Sequence, residues 1–258
     1  MLAAERLSLR GVDLQILRGG AGPPLLLLHG LAPVEPDAPV LELLAAHAEI
    51  LAPTHPGFGH APRPDDFETV YDLVRLYLDL LDHLAYAKVT LMGLSFGGWL
   101  AAEIAATCPH RLDKLVLVGA VGIKVSDRET PDILDLFNTA PAVVERRRWH
   151  DPAKWAPDYD AMSDDALVAH ARNRDALCLY AWDPYMHNPR LKRWLPRIAV
   201  PTLALWGASD GVVKPAYGRA YSALIPGARF EVIEAAGHHP EIEQSVAFAE
   251  RVVAFLRQ

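Results

Sequence analysis

The stretch "GLSFGG", residues 93–98, lies between the apolar run "KVTLM" (88–92) and the helix-favouring run "WLAAEIAA" (99–106). A serine kept at such a junction only for packing could be alanine. On a sharp strand-to-helix turn the serine takes unfavourable backbone angles, and side chains on its neighbours would clash. Gly93 and Gly97 remove those side chains, and Gly98 lets the helix approach the sheet. Such a turn lifts the hydroxyl above the sheet edge and sets it near a helix N-terminus, where amides favour negative charge. The pattern therefore makes Ser95 a candidate nucleophile and implies a parallel sheet beneath it.

The rest of the chain agrees with that sheet. "ERLSLR" (5–10) and "VDLQILRG" (12–19) read as strands joined by a turn at Gly11. "PPLLLLHG" (23–30) is a short apolar run ended by glycine, as expected of a strand buried on both faces. "AEILAPTHPGFG" (48–59) is a strand followed by a Pro/Gly loop. Residues 67–84 place Val70, Leu73, Val74, Tyr77, Leu78, Leu81 and Leu84 on one helical stripe. Strand "LDKLVLVGA" (112–120) follows the helix after Ser95, and the alternation resumes with "VPTLALWG" (200–207), "KPAYGRAYSALIP" (214–226), "RFEVIE" (229–234) and "SVAFAERVVAFLRQ" (245–258). Alternating strands and helices predict an α/β fold with a mostly parallel, doubly wound sheet. The interval 121–197 shows no clear strand and is too long for a simple connection. It reads as an inserted helical cap on a core made of 1–120 and 198–258. Its aromatics Trp149, Trp155, Tyr159, Trp182 and Tyr185 are candidates to line a pocket.

A serine hydroxyl needs a base, itself oriented by an acid. "WGASDGVV" (206–213) sets Asp210 just beyond a buried strand, and "AAGHHPEIEQ" (235–244) sets His238 and His239 just beyond the last one. The chain order Ser95, Asp210, His238 is that of a doubly wound hydrolase sheet, with all three on the rim where such sheets bind ligands.

The sequence resembles the α/β-hydrolase superfamily, in particular its lid-bearing branch of small bacterial serine esterases and carbon–carbon bond hydrolases. "LLLLHG", "APTHPGFG", "GLSFGG", "PTLALWGASDGVV" and "AAGHHPEIE" stand in family order and spacing, and only the cap is unaligned. In the family pattern the catalytic histidine follows glycine and precedes any residue and then proline, which selects His238. The resemblance implies an oxyanion hole built from the backbone N–H groups of Leu31 and Phe96, and a bracing rather than catalytic role for His29. The chain departs from the pattern at "LAPVEPDAP" (31–39), where Pro33 supplies no N–H, and at Thr54, where the family often carries aspartate.

Composition bounds the rest. The 258 residues carry a net charge of −7, which argues against nucleic acid or an anionic membrane as partner. The basic clusters "ERRRWH" (145–150) and "RLKRWLPR" (190–197) read as exposed helix faces. Cys108 and Cys178 lack any CxxC spacing and read as small core residues. No run reaches the length of a membrane span, and "MLAAERLSLR" is unlike a signal peptide, so the sequence predicts a cytoplasmic protein without membrane insertion, monomeric or homodimeric. There is no HExxH, P-loop or GxGxxG after a strand, and the histidines lack ligand spacing, so no metal and no cofactor is expected.

The function expected is cleavage of carboxylic esters, lactones or thioesters with an apolar acyl part through an acyl-enzyme on Ser95. Trp149, Trp155, Trp182, Tyr185, Arg190 and His239 are the candidate substrate contacts. One alternative is a carbon–carbon bond hydrolase of diketo acids, whose substrate carboxylate would need a cation such as Arg172, Arg174, Arg190 or Lys192. The other is a slow-turnover receptor with an intact triad. The two adjacent histidines give the first test: His238→Ala is expected to lose nearly all turnover and His239→Ala to keep most of it. The reverse order in steady-state rates would put the register of "GHHP" wrong.

Overall fold

The computed structural model of the protein describes residues 2–258. Its described residues form a sheet of eight strands: β1 (Ala3–Leu9), β2 (Val12–Gly19), β3 (Pro24–Leu28), β4 (Glu49–Pro53), β5 (Val89–Leu94), β6 (Leu112–Val118), β7 (Thr202–Gly207) and β8 (Arg229–Ile233). Their spatial order is β1-β2-β4-β3-β5-β6-β7-β8. The first two strands form an antiparallel hairpin, β2 pairs antiparallel with β4, and all later pairs are parallel.

Helices α1 (Pro39–Ala45), α2 (Val70–His83) and α3 (Phe96–Thr107) connect the first strands. Between β6 and β7 come α4 (Pro141–Arg148), α5 (Pro152–Trp155), α6 (Asp164–Ala181) and α7 (Leu191–Trp194), and α8 (Pro215–Ser222), α9 (Pro240–Glu243) and α10 (Ser245–Leu256) complete the chain. Among the described residues the β6–β7 interval forms only two isolated bridges, Gly122 with His187 and Ile133 with Val213.

The uninterrupted leucines of β3 follow from cover on both faces. Leu26 and Leu28 pack with Leu73, Tyr77 and Leu100 of α2 and α3, while Leu25 and Leu27 pack with Leu41, Phe248 and Val252 of α1 and α10. No residue of β3 could be polar without losing water on either side. The helices between β6 and β7 extend the first of these layers through Leu177, Tyr180 and Leu191.

Some local expectations shift. α2 begins at Val70 rather than at residue 67, because the Asp72 carboxylate accepts from the Thr69 N–H (2.9 Å) and hydroxyl (2.6 Å) and fixes Thr69 as the cap. The cluster 145–150 is not simply an exposed face: Arg148 and Glu145 are buried as an ion pair at 3.0 Å, with Trp149 buried beside them. Both cysteines are free and half-buried rather than core residues.

The sheet places β3 and β5 side by side although β4 intervenes in sequence. Strand order reverses there, and the crevice beyond the carboxyl ends of these two strands is where such sheets accept ligands. Leu31 follows β3 and Ser95 follows β5. Packing at this point leaves no room for a side chain: a Cβ on Gly97 would run into the carbonyls of Leu28 and His29. Gly97→Ala is therefore expected to cost about 1–3 kcal/mol, lowering Tm by roughly 2–12 °C. An unchanged Tm by calorimetry would contradict this packing.

Candidate active site

Ser95 sits between β5 and α3 with φ 49° and ψ −109°, a backbone region costly for any residue with a Cβ. The strain is held by backbone hydrogen bonds. The Ser95 N–H donates to Val118 O of β6 at 2.8 Å, and its carbonyl accepts from Gly98 (3.0 Å), Trp99 (3.3 Å) and Val121 (3.3 Å). A Cβ on Gly93 would meet the Gly97 carbonyl, so the chain folds back on itself only because both positions are glycine.

Asp210 lies beyond β7 and His238 beyond β8, and both are buried. The Asp210 Oδ1 accepts from the Val212 and Val213 N–H groups at 2.9 and 2.8 Å, which leaves Oδ2 facing His238 Nδ1 at 2.8 Å. His238 Nε2 is 2.9 Å from Ser95 Oγ. A carboxylate only accepts, so Nδ1 carries the proton and Nε2 is free to accept from the serine hydroxyl. Three residues separated by 28 and 143 positions thus meet in one hydrogen-bonded line. Such a line can move a proton off Oγ while the carboxylate stabilises the resulting imidazolium.

The loop after β3 is braced by a pair of buried histidines. The His55 N–H donates to His29 Nε2 (2.9 Å), and His55 Nε2 donates to His29 O (2.9 Å). His29 Nδ1 donates to Gly30 O (2.9 Å), and the Tyr77 hydroxyl donates to His55 Nδ1. The two rings stack with centroids 3.7 Å apart. Every ring nitrogen has one role in this chain, so both imidazoles are neutral. Burial pushes the His55 pKa down to about 3, and burial with the neighbouring His55 holds His29 well below its ordinary range. Neither the Leu31 nor the Phe96 N–H has an acceptor among the described residues. Phe96, the first residue of α3, has no intrahelical partner for its N–H.

A cavity of about 410 Å³ opens beside this loop, walled by Gly30, Leu31, Val34, Ala38, Val40, Leu94, Trp155, His239, Glu241 and Ile242. Gly30 is so close to the nucleophile turn that a Cβ there would stand 3.1 Å from Ser95 Cβ. Of the residues read from sequence as substrate contacts, Trp155 and His239 line this cavity, and Trp149 packs against the His239 ring with centroids 5.0 Å apart. His239 Nδ1 is held by Glu241 at 2.9 Å.

Trp182, Tyr185 and Arg190 are not brought to it. Trp182, at the end of α6, is 53% exposed and packs on Phe137, because the outer face of that helix carries it. The Tyr185 hydroxyl is committed to Leu134 O (2.6 Å) and the Leu136 N–H (2.8 Å). Arg190 is exposed at the start of α7, and Lys192 is exposed within it. Arg172 and Arg174 donate to the carbonyls of Ala61 and Leu136, each at 3.0 Å. Among the described residues no cluster of three or more His, Cys, Asp or Glu could hold a metal ion, and no helix is long and apolar enough to cross a membrane.

A family model described as the alpha/beta hydrolase fold matches residues 23–244. The chain is 31% identical over 263 residues to a 2-hydroxy-6-oxo-2,4-heptadienoate hydrolase of Pseudomonas putida, covering 95% of this chain and 93% of that protein. Among solved structures it is similar to a 2-hydroxy-6-oxo-6-phenylhexa-2,4-dienoate hydrolase from Rhodococcus (TM-score 0.80, 20% identity, 100% and 99% of the two chains). It is likewise similar to a thermophilic esterase from Thermogutta terrifontis (TM-score 0.77, 22% identity, 99% and 98%). At these identities the structural likenesses speak for the fold alone.

The histidine brace makes stability depend on pH. His55 is neutral when folded but binds a proton near 6.5 once unfolded, so its contribution is complete above that value and is lost as pH falls from 6.5 towards 3. Tm is expected to fall between about pH 6.5 and 5, above the carboxylate range, and His55→Gln, although less stable at neutral pH, is expected to flatten that slope. Parallel Tm–pH curves for the two proteins would contradict it.

Proposed function

The chain belongs to the alpha/beta hydrolase fold family and is a hydrolase, and from that premise we propose that it cleaves neutral carboxylic esters through an acyl-enzyme on Ser95. His238 takes the Ser95 proton as Oγ attacks the carbonyl carbon, and Asp210 stabilises the imidazolium. The developing oxyanion is held by the Leu31 and Phe96 N–H groups. His238 then returns the proton to the leaving alcohol, and water releases the acid by the same path in reverse. The helices between β6 and β7 act as the cap over this site.

The observation that carries the ester reading is the lining of the cavity beside Leu31. Its walls are mostly aliphatic and aromatic, its carboxylates are Glu35 and Glu241, and no Lys or Arg reaches it. Bringing a substrate carboxylate into an apolar space beside these groups would cost several kcal/mol without a cation to offset it. An apolar acyl or alkoxy chain gains about 0.8 kcal/mol per buried methylene instead.

The carbon–carbon bond reading is favoured by a different observation, the 31% identity to a hydrolase whose named substrate is a dienoate. Relative kcat/KM over a panel of neutral p-nitrophenyl esters, lactones and a vinylogous diketo acid separates the two. The ester reading expects kcat/KM to rise a few-fold per added acyl carbon, pass through an optimum, and stay well above that for the diketo acid. Preference for the diketo acid would replace it with the carbon–carbon reading, and turnover on the scale of hours with tight binding would replace both with a receptor. Ser95→Ala is expected to lose roughly a million-fold in kcat on any true substrate.

A further inference from the structure

The base and acid are fastened from a side that their own hydrogen bonds do not use. The His238 N–H donates to Arg148 O at 2.6 Å, and the N–H of Gly211, next to Asp210, donates to Arg147 O at 2.9 Å. Arg147 and Arg148 end α4, where helix carbonyls lack intrahelical donors. The preceding Gly237 N–H donates to Glu243 Oε2, while Glu243 Oε1 accepts from the N–H groups of His150 (2.9 Å) and Asp151 (3.2 Å). Glu243 is buried and faces these three amides, with no Lys or Arg at ion-pair distance among the described residues. The approach is so close that a Cβ on Gly237 would strike the Arg148 carbonyl.

The last turn of α4 is itself held from within. Glu145 accepts from Arg148 Nη1 (3.0 Å), Trp149 Nε1 (2.8 Å) and the Tyr159 hydroxyl (3.2 Å). Cap and core are therefore joined at the two loops whose spacing sets the Asp210–His238 contact.

We infer that Glu243 is a positioning residue for the proposed hydrolysis: its carboxylate binds the end of α4 to the His238 loop, and so keeps Nδ1 on Asp210 and Nε2 on Ser95. This rests on the serine-hydrolase reading above. Unlike a cation, a carboxylate with two accepting oxygens can bridge backbone donors from both segments at once. A carboxamide in the same place keeps one accepting oxygen and turns an NH2 donor towards the amide or amides of the other segment.

Glu243→Gln is the test, with steady-state kinetics on the best ester and the rate of fluorophosphonate labelling at Ser95. A misplacement of the base by an ångström costs about a hundredfold, so kcat is expected to fall about 10- to 100-fold with KM little changed, and the labelling rate to fall in parallel. A merely structural role would lower Tm and leave these readouts alone. A folded variant with wild-type kcat and labelling rate overturns the inference. Should the variant not fold, amide exchange in the wild type decides: the N–H groups of Gly237, His238, Gly211 and His150 are expected to be protected like those of β7 and β8. Rapid exchange at these positions overturns it. Failure of the wild type to label at Ser95 is a different result, which removes the hydrolase mechanism whatever the exchange data show about the joint.

Discussion

Three backbone segments converge at Gly97: the end of β3, the end of β5 and the first turn of α3. The carbonyls of Leu28 and His29 lie where a Cβ on Gly97 would stand. Beside this contact Ser95 holds a positive φ, a strain of order 1–3 kcal/mol, and its hydroxyl stands over the same crevice that the β3 loop enters. The hydrogen bonds from the Ser95 backbone to Val118, Gly98, Trp99 and Val121 hold that strain in place. Without these bonds the serine would relax into the helix, and His238 Nε2 would lose the fixed oxygen that it meets at 2.9 Å.

Around that point the protein uses buried, fully committed polar groups rather than surface ion pairs. His29 and His55 are neutral and locked by their partners, so they fix a loop without adding charge to it. Asp210 spends one oxygen on two backbone amides and the other on His238. Glu145 accepts from the Trp149 indole and Glu243 from the His150 N–H, both at the end of α4. Removing any one of these acceptors strands donors in a place water does not reach, which is dearer than losing an exposed pair.

Much of this was legible in the sequence because it depends on local signals. A short apolar run closed by glycine reads as a buried strand, and "GLSFGG" between a strand and a helix admits few other geometries. Asp210 and His238 stand just past strands, and a parallel sheet brings such positions to one rim. The rest depends on contacts between distant residues that leave no local mark. Glu243 meets His150 across 93 positions, and His55 meets Tyr77 across 22. Arg148 sits in a run of three arginines whose composition suggests an exposed face, yet Glu145 three residues earlier draws it inside. Trp182 and Arg190 have the chemistry of substrate contacts, but only the rotation of α6 and the path beyond it decide where they point. The cavity lining was legible only at Trp155 and His239, since Leu94, Val34 and Ile242 carry no chemical signal that sets them apart from other apolar residues.

The proposed hydrolysis turns on a covalent bond to one oxygen, Ser95 Oγ. Rapid-quench mass spectrometry during turnover of a short-chain p-nitrophenyl ester tests it most directly, because it sees the intermediate rather than its consequences. The prediction is a single acyl mass increment that builds before steady state, maps to the peptide containing Ser95, and disappears as substrate is exhausted. Full turnover with no adduct at Ser95, or with the adduct on another residue, would contradict it.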